Sequence, residues 1–251
     1  MSVSTEALPT TSRLPRGWVH FALQFAFWIG FYVVYQLARG IADHGGVGEA
    51  FANGESIIDL QRSLHSMIEL TLQGVVERSS LLIQATSYTY WLSQFAVVGI
   101  ALLYVYFRAH ERFIRFRNTL IVANLIGLVG YVTFPTAPPR MFPQAGFNDT
   151  LAQHAALTHD SGVIQFSSNP YAAMPSLHSC DSLIVGIVMA LVVRSALAKA
   201  LWLLWPAWVW FSVMATGNHF WLDIAAGILV AAVAGAIVYR PWRSFRTPTV
   251  A

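Results

Sequence analysis

Charge is scarce in this sequence. Lys, Arg, Asp and Glu make up 11% of its 251 residues, against about 25% in soluble domains. That scarcity excludes an ordinary soluble globular class. Cysteine is nearly absent: Cys180 stands alone, so no intramolecular disulfide can form. The net charge is only +3, which gives no reason to invoke nucleic acid as a partner. No internal repeat is visible, and no stretch reads as a separate soluble domain. What is abundant is apolar surface. Hydrophobic residues make up 56% of the chain, in long runs almost free of charge, which is the signature of membrane spans. One membrane domain is the simplest reading of this length.

The predicted fold class is all-α: a six-transmembrane-helix bundle with an additional interfacial amphipathic helix. The spans are drawn at Trp18 to Leu37, Tyr88 to Phe107, Asn118 to Phe134, Pro175 or Ser176 to Val193, Leu201 to Ala215, and Phe220 to Tyr239. The third stops where Pro135, Pro138 and Pro139 forbid a helix. The third and fifth are short against the ~20 residues that a bilayer core needs. Residues 1–16 are polar and read as a flexible tail, 17–240 as the six-span domain, and 241–251 as a second tail. The run after Arg16 is too long for a signal-peptide core and lacks a small-residue cleavage site, so it reads as a retained span. Between the first two spans, Ile57, Ile58, Leu60, Leu64, Met67, Ile68, Leu70, Leu72 and Val75 recur near helical spacing. This pattern over Glu55 to Val76 suits a helix lying in the interface, or a surface helix packed on the bundle.

Lys and Arg set the orientation. Eleven of the fifteen fall in the N-terminal tail, the second-to-third and fourth-to-fifth connections and the C-terminal tail; Arg39, Arg62, Arg78 and Arg140 fall on the other side. The positive-inside rule places both termini in the cytoplasm. The expected location is a bacterial plasma membrane.

Three polar segments adjoin spans: Phe134 to Arg140, Met174 to His178, and Gly217 to Asp223. The alternation of spans puts all three at one outer face. Ionisable groups at span ends are costly and point to function. His219 and Asp223 are four apart and share a face on a helix. A carboxylate there can accept the Nδ1 proton and leave Nε2 as base or nucleophile. The same pair also reads as a capping histidine with a buried acid. His178 follows Pro175 and Ser176 in a first helical turn, whose free N–H groups suit an anion. It reads either as a proton donor to a leaving oxygen or as a structural histidine. Arg140 suits bidentate phosphate binding, or serves as an interfacial anchor.

The stretches Ala-Pro-Pro-Arg140, Ala-Met-Pro-Ser-Leu-His178 and Gly-Asn-His219-x-x-x-Asp223, in this order and spacing, resemble the three motifs of the type 2 phosphatidic acid phosphatase superfamily. The chain is most similar to the branch that includes inositol phosphorylceramide synthases and related bacterial membrane proteins. The resemblance covers about Leu60 to Gly227. It implies that His219 attacks phosphorus and forms a phosphohistidine, oriented by Asp223. It implies that His178 protonates the leaving alcohol, then activates the acceptor, water or an alcohol. Arg140, Ser176 and backbone amides would hold the phosphoryl oxygens. No metal or other cofactor is implied, and no metal-ligand cluster is visible. The implied partners are a lipid phosphate (a phospholipid or polyprenyl phosphate) and the surrounding lipids. The oligomeric state is left open.

The chain departs from the family pattern at three places. Thr133 stands where phosphatase members often carry lysine, Val213 where they often carry arginine, and Leu177 where they often carry glycine. Either the phosphate is held by fewer charges, or groups such as Asn218 and helix-end amides substitute for the missing cations. The departures favour the phosphotransferase-like branch. They predict a preference for monoanionic donors over dianionic monoesters, with an alcohol as acceptor. Hydrolysis of a lipid monoester is the competing reaction, and a non-catalytic lipid-binding or transport protein the competing class. Among the other polar residues, Asp181 either faces the same cavity or bonds a neighbouring helix. Asn124 reads as helix-to-helix glue, and Trp202, Trp205, Trp208 and Trp210 as packing and interface anchors. His154 and His159 read as solvated or as lining a substrate entrance, and Gly146 to Ser168 is long enough for a lid.

Overall fold

The computed structural model describes residues 14–41, 46–151 and 169–240. Among these residues the protein is helical, with no strand and one isolated bridge, Thr136 to Ala172. Helix α1 spans Gly17–Ile41, α2 Val47–Ser63 and α3 Ile68–Val76. Helix α4, Ser80–Leu92, runs through a π-helical turn at Ser93–Val97 into α5, Val98–Arg108. Helix α6 spans His110–Thr133, α7 Leu177–Val192, α8 Ala196–Ala215 and α9 Trp221–Tyr239.

Five stretches are long and apolar enough to cross a membrane: Gly17–Arg39, Ser80–Arg108, His110–Thr133, Ala196–Ala215 and Trp221–Tyr239. The remaining expected span, the fourth, is α7, with 16 residues. At 1.5 Å per residue it reaches about 24 Å, short of a ~30 Å core. The short span is therefore the fourth, while α6 has 24 residues and α8 has 20. Charge misplaced these boundaries. Arg112, Arg115 and Arg117 lie on the first turns of α6, and their heads find partners at the same end of the bundle: the Leu191 carbonyl, the Tyr239 ring and the Phe27 ring. Similarly, Lys199 lies inside α8. The second span starts eight residues before Tyr88, because Ser79 caps α4 by accepting from the Leu82 N–H at 3.4 Å.

The amphipathic segment is two helices, not one. Backbone N–H and hydroxyl of Ser66 both donate to the Gln61 carbonyl, at 2.9 and 3.3 Å, which ends α2. His65 takes a positive φ of 52° at this break. Helix α3 then packs on α8 and α4, and α2 buries Ala50, Ile57 and Ile58 against Phe142, Phe147 and Phe220. Both dock on the bundle, over the end that carries the three polar segments.

The main core lies between α5, α6, α7 and α9, around Val105, Phe116, Leu120, Cys180, Val185 and Ala234. Helix α1 is peripheral. A cleft of about 290 Å³ separates it from α5 and α6, lined by Phe21, Trp28, Tyr32, Phe95 and Leu102. The basic residues gather at one end of the bundle. Arg112 donates to the Leu191 carbonyl in the last turn of α7, at 3.3 Å. Arg115 lies over the Tyr239 ring near the end of α9. The starts of α7 and α9, with the end of α6, form the opposite end.

Helix α9 meets the start of α7 at Gly227. A Cβ added there would lie 2.3 Å from the Ser176 carbonyl oxygen and 3.0 Å from Ser179 Cβ. These atoms are backbone and short side chain, so they cannot swing away. We expect Gly227→Ala to cost about 1–3 kcal/mol through overpacking and to lower the melting temperature in detergent. Gly99→Ala, with nothing within 4 Å of the added atom, should leave it unchanged or higher. Equal melting temperatures for the two variants would show that this contact does not constrain the bundle.

Candidate active site

Three non-helical segments meet at the end of the bundle away from the arginines, and main-chain hydrogen bonds lock them together. Thr136 N–H donates to the Tyr171 carbonyl at 2.7 Å, and Ala173 N–H donates to the Thr136 carbonyl at 3.3 Å. Arg140 N–H donates to the Gly217 carbonyl at 2.8 Å, and Ser176 N–H to the Asp223 carbonyl at 3.0 Å. Gly217 takes φ of +70°, and a Cβ there would come within 2.9 Å of the Asn148 carbonyl oxygen. Only glycine fits this turn without strain. Each segment leaves helical backbone groups unbonded, and the neighbouring segments satisfy them.

His219 and Asp223 come together, though not on one helix. His219 precedes α9, whereas Asp223 lies in its first turn. Asp223 Oδ2 accepts from the Phe220 N–H at 2.8 Å, while Asp223 N–H donates to the Phe220 carbonyl at 3.0 Å. The carboxylate thus caps α9 and also flanks the imidazole, with Oδ2 3.4 Å from His219 Nδ1. The nearer partner of Nδ1 is the Ala173 carbonyl, at 2.9 Å. A carbonyl only accepts, so Nδ1 carries the proton and Nε2 presents a lone pair. The tautomer expected from Asp223 is therefore set first by a backbone oxygen of the second segment. Asp223 Oδ1 is buried and without a hydrogen-bond partner.

His178 sits in the first turn of α7. Its ring stacks on Tyr90 at 4.5 Å and lies 5.5 Å from the His219 ring, centroid to centroid. Its Nε2 is 3.2 Å from the Tyr90 carbonyl. That carbonyl lies just before the π-helical turn, where the regular helical bonding pattern is broken. Tyr90 therefore supplies both a ring and an acceptor to the site. Nothing in its sequence context marks it.

Arg140 is nearly buried. Its Nη1 donates to Asn218 Oδ1 at 2.6 Å, and its Nε is 3.7 Å from Asp149 Oδ2. Burial lowers its guanidinium from the ordinary value, with Tyr90 and Asp149 opposing. Asn218 differs from its expected role. Its amide nitrogen donates to Thr216 Oγ1 at 2.9 Å and to the Thr216 carbonyl at 3.3 Å. Its donors are thus engaged within its own turn, and its oxygen holds Arg140 in place. Ser176 caps α7: its Oγ accepts from the Ser179 N–H at 3.2 Å. It is fully buried, and a hydroxyl proton remains for an anion beside the helix start.

Of the other candidates, Asp181 bonds a neighbouring helix: Asn124 Nδ2 donates to its Oδ1 at 3.1 Å, which is also the helix-to-helix role read for Asn124. Trp208 donates to Thr89 Oγ1 at 2.9 Å, tying α8 to α4. His154, His159 and most of Gly146 to Ser168 lie outside the described residues. Glu69 of α3 was missed. It is buried, and its Oε1 accepts from the Trp221 N–H at 2.6 Å and from Gln61 Nε2 at 2.8 Å. Burial raises its carboxyl above the usual range, against those two hydrogen bonds. Glu69 fastens the start of α9, and with it Asp223, to the docked helix pair.

The PAP2 superfamily model matches residues 55–237. The chain belongs to the PAP2 superfamily. A curated relative is the phosphoinositol dihydroceramide synthase of Bacteroides thetaiotaomicron, 28% identical over 178 residues. That match covers 63% of this chain and 57% of the relative, so the chain spans little more than half of that protein. No solved structure matches. The superfamily and its apolar helices make the chain a membrane-embedded member of a phosphoester-processing family.

Burial sets the charge state of His219. It pushes the imidazole down to about 3, the Ala173 carbonyl opposing, with the Arg140 and Arg39 charges adding to the depression. An ordinary imidazole is half-protonated near pH 6.5. The neutral ring should therefore persist as the pH falls through that value. Nitrogen NMR of histidine-labelled protein at about pH 5.5 should show His219 neutral, with its proton on Nδ1. An imidazolium signal for His219 at that pH, or a proton on Nε2, would contradict the geometry.

Proposed function

We propose that this PAP2-superfamily protein transfers phosphoryl or phospho-head-group units between membrane lipids, through a phosphohistidine on His219. One observation carries the proposal: His219 offers a neutral imidazole with Nδ1 held by a carbonyl, and a second imidazole stands 5.5 Å away. Nε2 of His219 attacks phosphorus, the P–O bond to the leaving alcohol breaks, and His178 gives that oxygen a proton. In the second half, His178 takes a proton from the incoming hydroxyl, whose oxygen displaces His219 from phosphorus. Asp223 steadies the positive charge that forms on His219, and Arg140 with the first N–H groups of α7 holds the non-reacting oxygens.

Water and an alcohol differ only as the second nucleophile. Two observations favour an alcohol and a phosphodiester donor. Thr133 and Val213 bring no charge to the site, which penalises a dianionic monoester more than a monoanionic diester. The similarity to a synthase named for phosphoinositol and dihydroceramide supports the same choice. Simple lipid monoester hydrolysis is the second reading, supported by the superfamily alone. The eleven-to-four split of basic residues supports both termini on the cytoplasmic side of a plasma membrane and a site that opens outward.

The test is product identification. Detergent-purified protein is incubated with lipid phosphomonoesters and head-group diesters, with and without a lipid alcohol or polyol. We expect phosphorus transfer from a diester to the alcohol, reduced on the order of 10³-fold or more in His219→Ala. In sealed vesicles, a membrane-impermeant substrate should react only from the extracytoplasmic face. Efficient monoester hydrolysis with no diester turnover would leave a plain lipid phosphatase. Turnover unchanged in His219→Ala would remove the nucleophile.

A further inference from the structure

Arg39 lies in the last turn of α1, the peripheral helix, outside the region that the superfamily matches. Its guanidinium carbon sits 5.6 Å from the centroid of the Tyr131 ring. Its Nε is buried and has no hydrogen-bond partner, and the hydroxyl of neighbouring Tyr35 is buried and unpartnered as well. Among the described residues no carboxylate stands within ion-pair distance of Arg39.

This is an expensive place for an uncompensated cation. Taking part of a guanidinium out of water costs more than a single cation–π contact returns. Packing against Tyr131 therefore does not account for Arg39, whereas an anion that enters and leaves does. Its location fits. The Arg39 carbonyl accepts from Asn169 Nδ2 at 3.4 Å, and Asn169 Oδ1 accepts from the Tyr171 N–H at 2.8 Å, in the segment whose Ala173 carbonyl holds His219. The two cations differ in their surroundings. Arg140 is tied to Asp149 and Asn218, whereas Arg39 Nε has no acceptor and its guanidinium lies beside the Tyr131 ring.

We propose that Arg39 is a second phosphate-binding cation of this site, presented by α1, and that its planar fork takes non-reacting oxygens of the substrate's phosphate. The proposal rests on the phosphoryl-transfer reading of the site. It also gives α1 a part in substrate binding. The helix touches the bundle lightly, and phosphate bound by Arg39 on one side and by the α7 start on the other ties its last turn down.

The experiment measures binding without turnover. Full-length protein in detergent is titrated calorimetrically with inorganic phosphate, in chloride buffer of matched ionic strength, for wild type, Arg39→Gln and Arg39→Lys. Thermal unfolding is followed in parallel without phosphate. We expect Arg39→Gln to weaken phosphate binding about tenfold or more, as loss of a charged hydrogen-bonding partner does, and Arg39→Lys to weaken it less. The phosphate-free melting temperature of Arg39→Gln should equal or exceed that of wild type, because an unpaired buried charge is gone. Phosphate affinity within twofold of wild type in Arg39→Gln would overturn the proposal, as would wild type that binds no phosphate. If Arg39→Gln does not fold, the affinity of Arg39→Lys decides on the same criterion. Wild-type turnover of lipid phosphates with unchanged phosphate affinity in the variants sinks the Arg39 role alone. Weakened phosphate binding in the variants without any turnover by wild type sinks the transferase reading and keeps the anion site.

Discussion

The Ala173 carbonyl accepts the Nδ1 proton of His219 at 2.9 Å, and the chemistry of the site depends on that bond. It selects the tautomer, aims the ring and leaves Nε2 unprotonated. A carbonyl can do this only if its own segment is fixed. Ala173 is fixed by its N–H on the Thr136 carbonyl, two residues before Pro138 and four before Arg140. The first segment thereby positions the second, and the second positions His219 of the third. The third closes the circle through Gly217 to Arg140 and through Asp223 to Ser176.

The same circle answers a constraint of the membrane. A non-helical backbone near a bilayer must have its polar groups satisfied by protein. Here four main-chain hydrogen bonds between the segments, two side-chain caps and the Glu69 carboxylate do so. The capping groups are also site residues. Ser176 starts α7 and with it His178, and Asp223 starts α9 while flanking His219. Helix geometry and site geometry are thus one problem, and α2 and α3 cover it from outside.

Much of this was legible in the sequence. His178, His219, Asp223 and Arg140 are rare polar residues beside apolar runs, and counting spans places them at one face. The backbone partners were not legible. Ala173 and Tyr90 act through carbonyl oxygens, which every residue has, so no residue type announces them. Glu69 was hidden in a plausible amphipathic pattern, where its burial depends on how α3 meets α9. Span limits failed where arginines begin a helix, as in α6, which starts at His110 rather than Asn118, whereas those of α7 fell within two residues of the observed ends. The partners of Asn218 were not legible either: its amide nitrogen turns toward Thr216 and its oxygen toward Arg140. The positions of Arg39 and Tyr131 needed the packing of α1, which sequence periodicity does not fix.

The central claim is that His219 Nε2 becomes bonded to phosphorus. The most direct measurement is rapid quenching of the protein with a phosphorus-labelled lipid donor, into alkali, followed by mass-spectrometric mapping. A phosphoramidate bond is acid-labile and survives alkali, so the linkage identifies itself. The account predicts one acid-labile phosphoryl group on the peptide that contains His219, formed faster than product appears and absent in His219→Ala. Product formation with no label on His219, or with the label on His178, would contradict it.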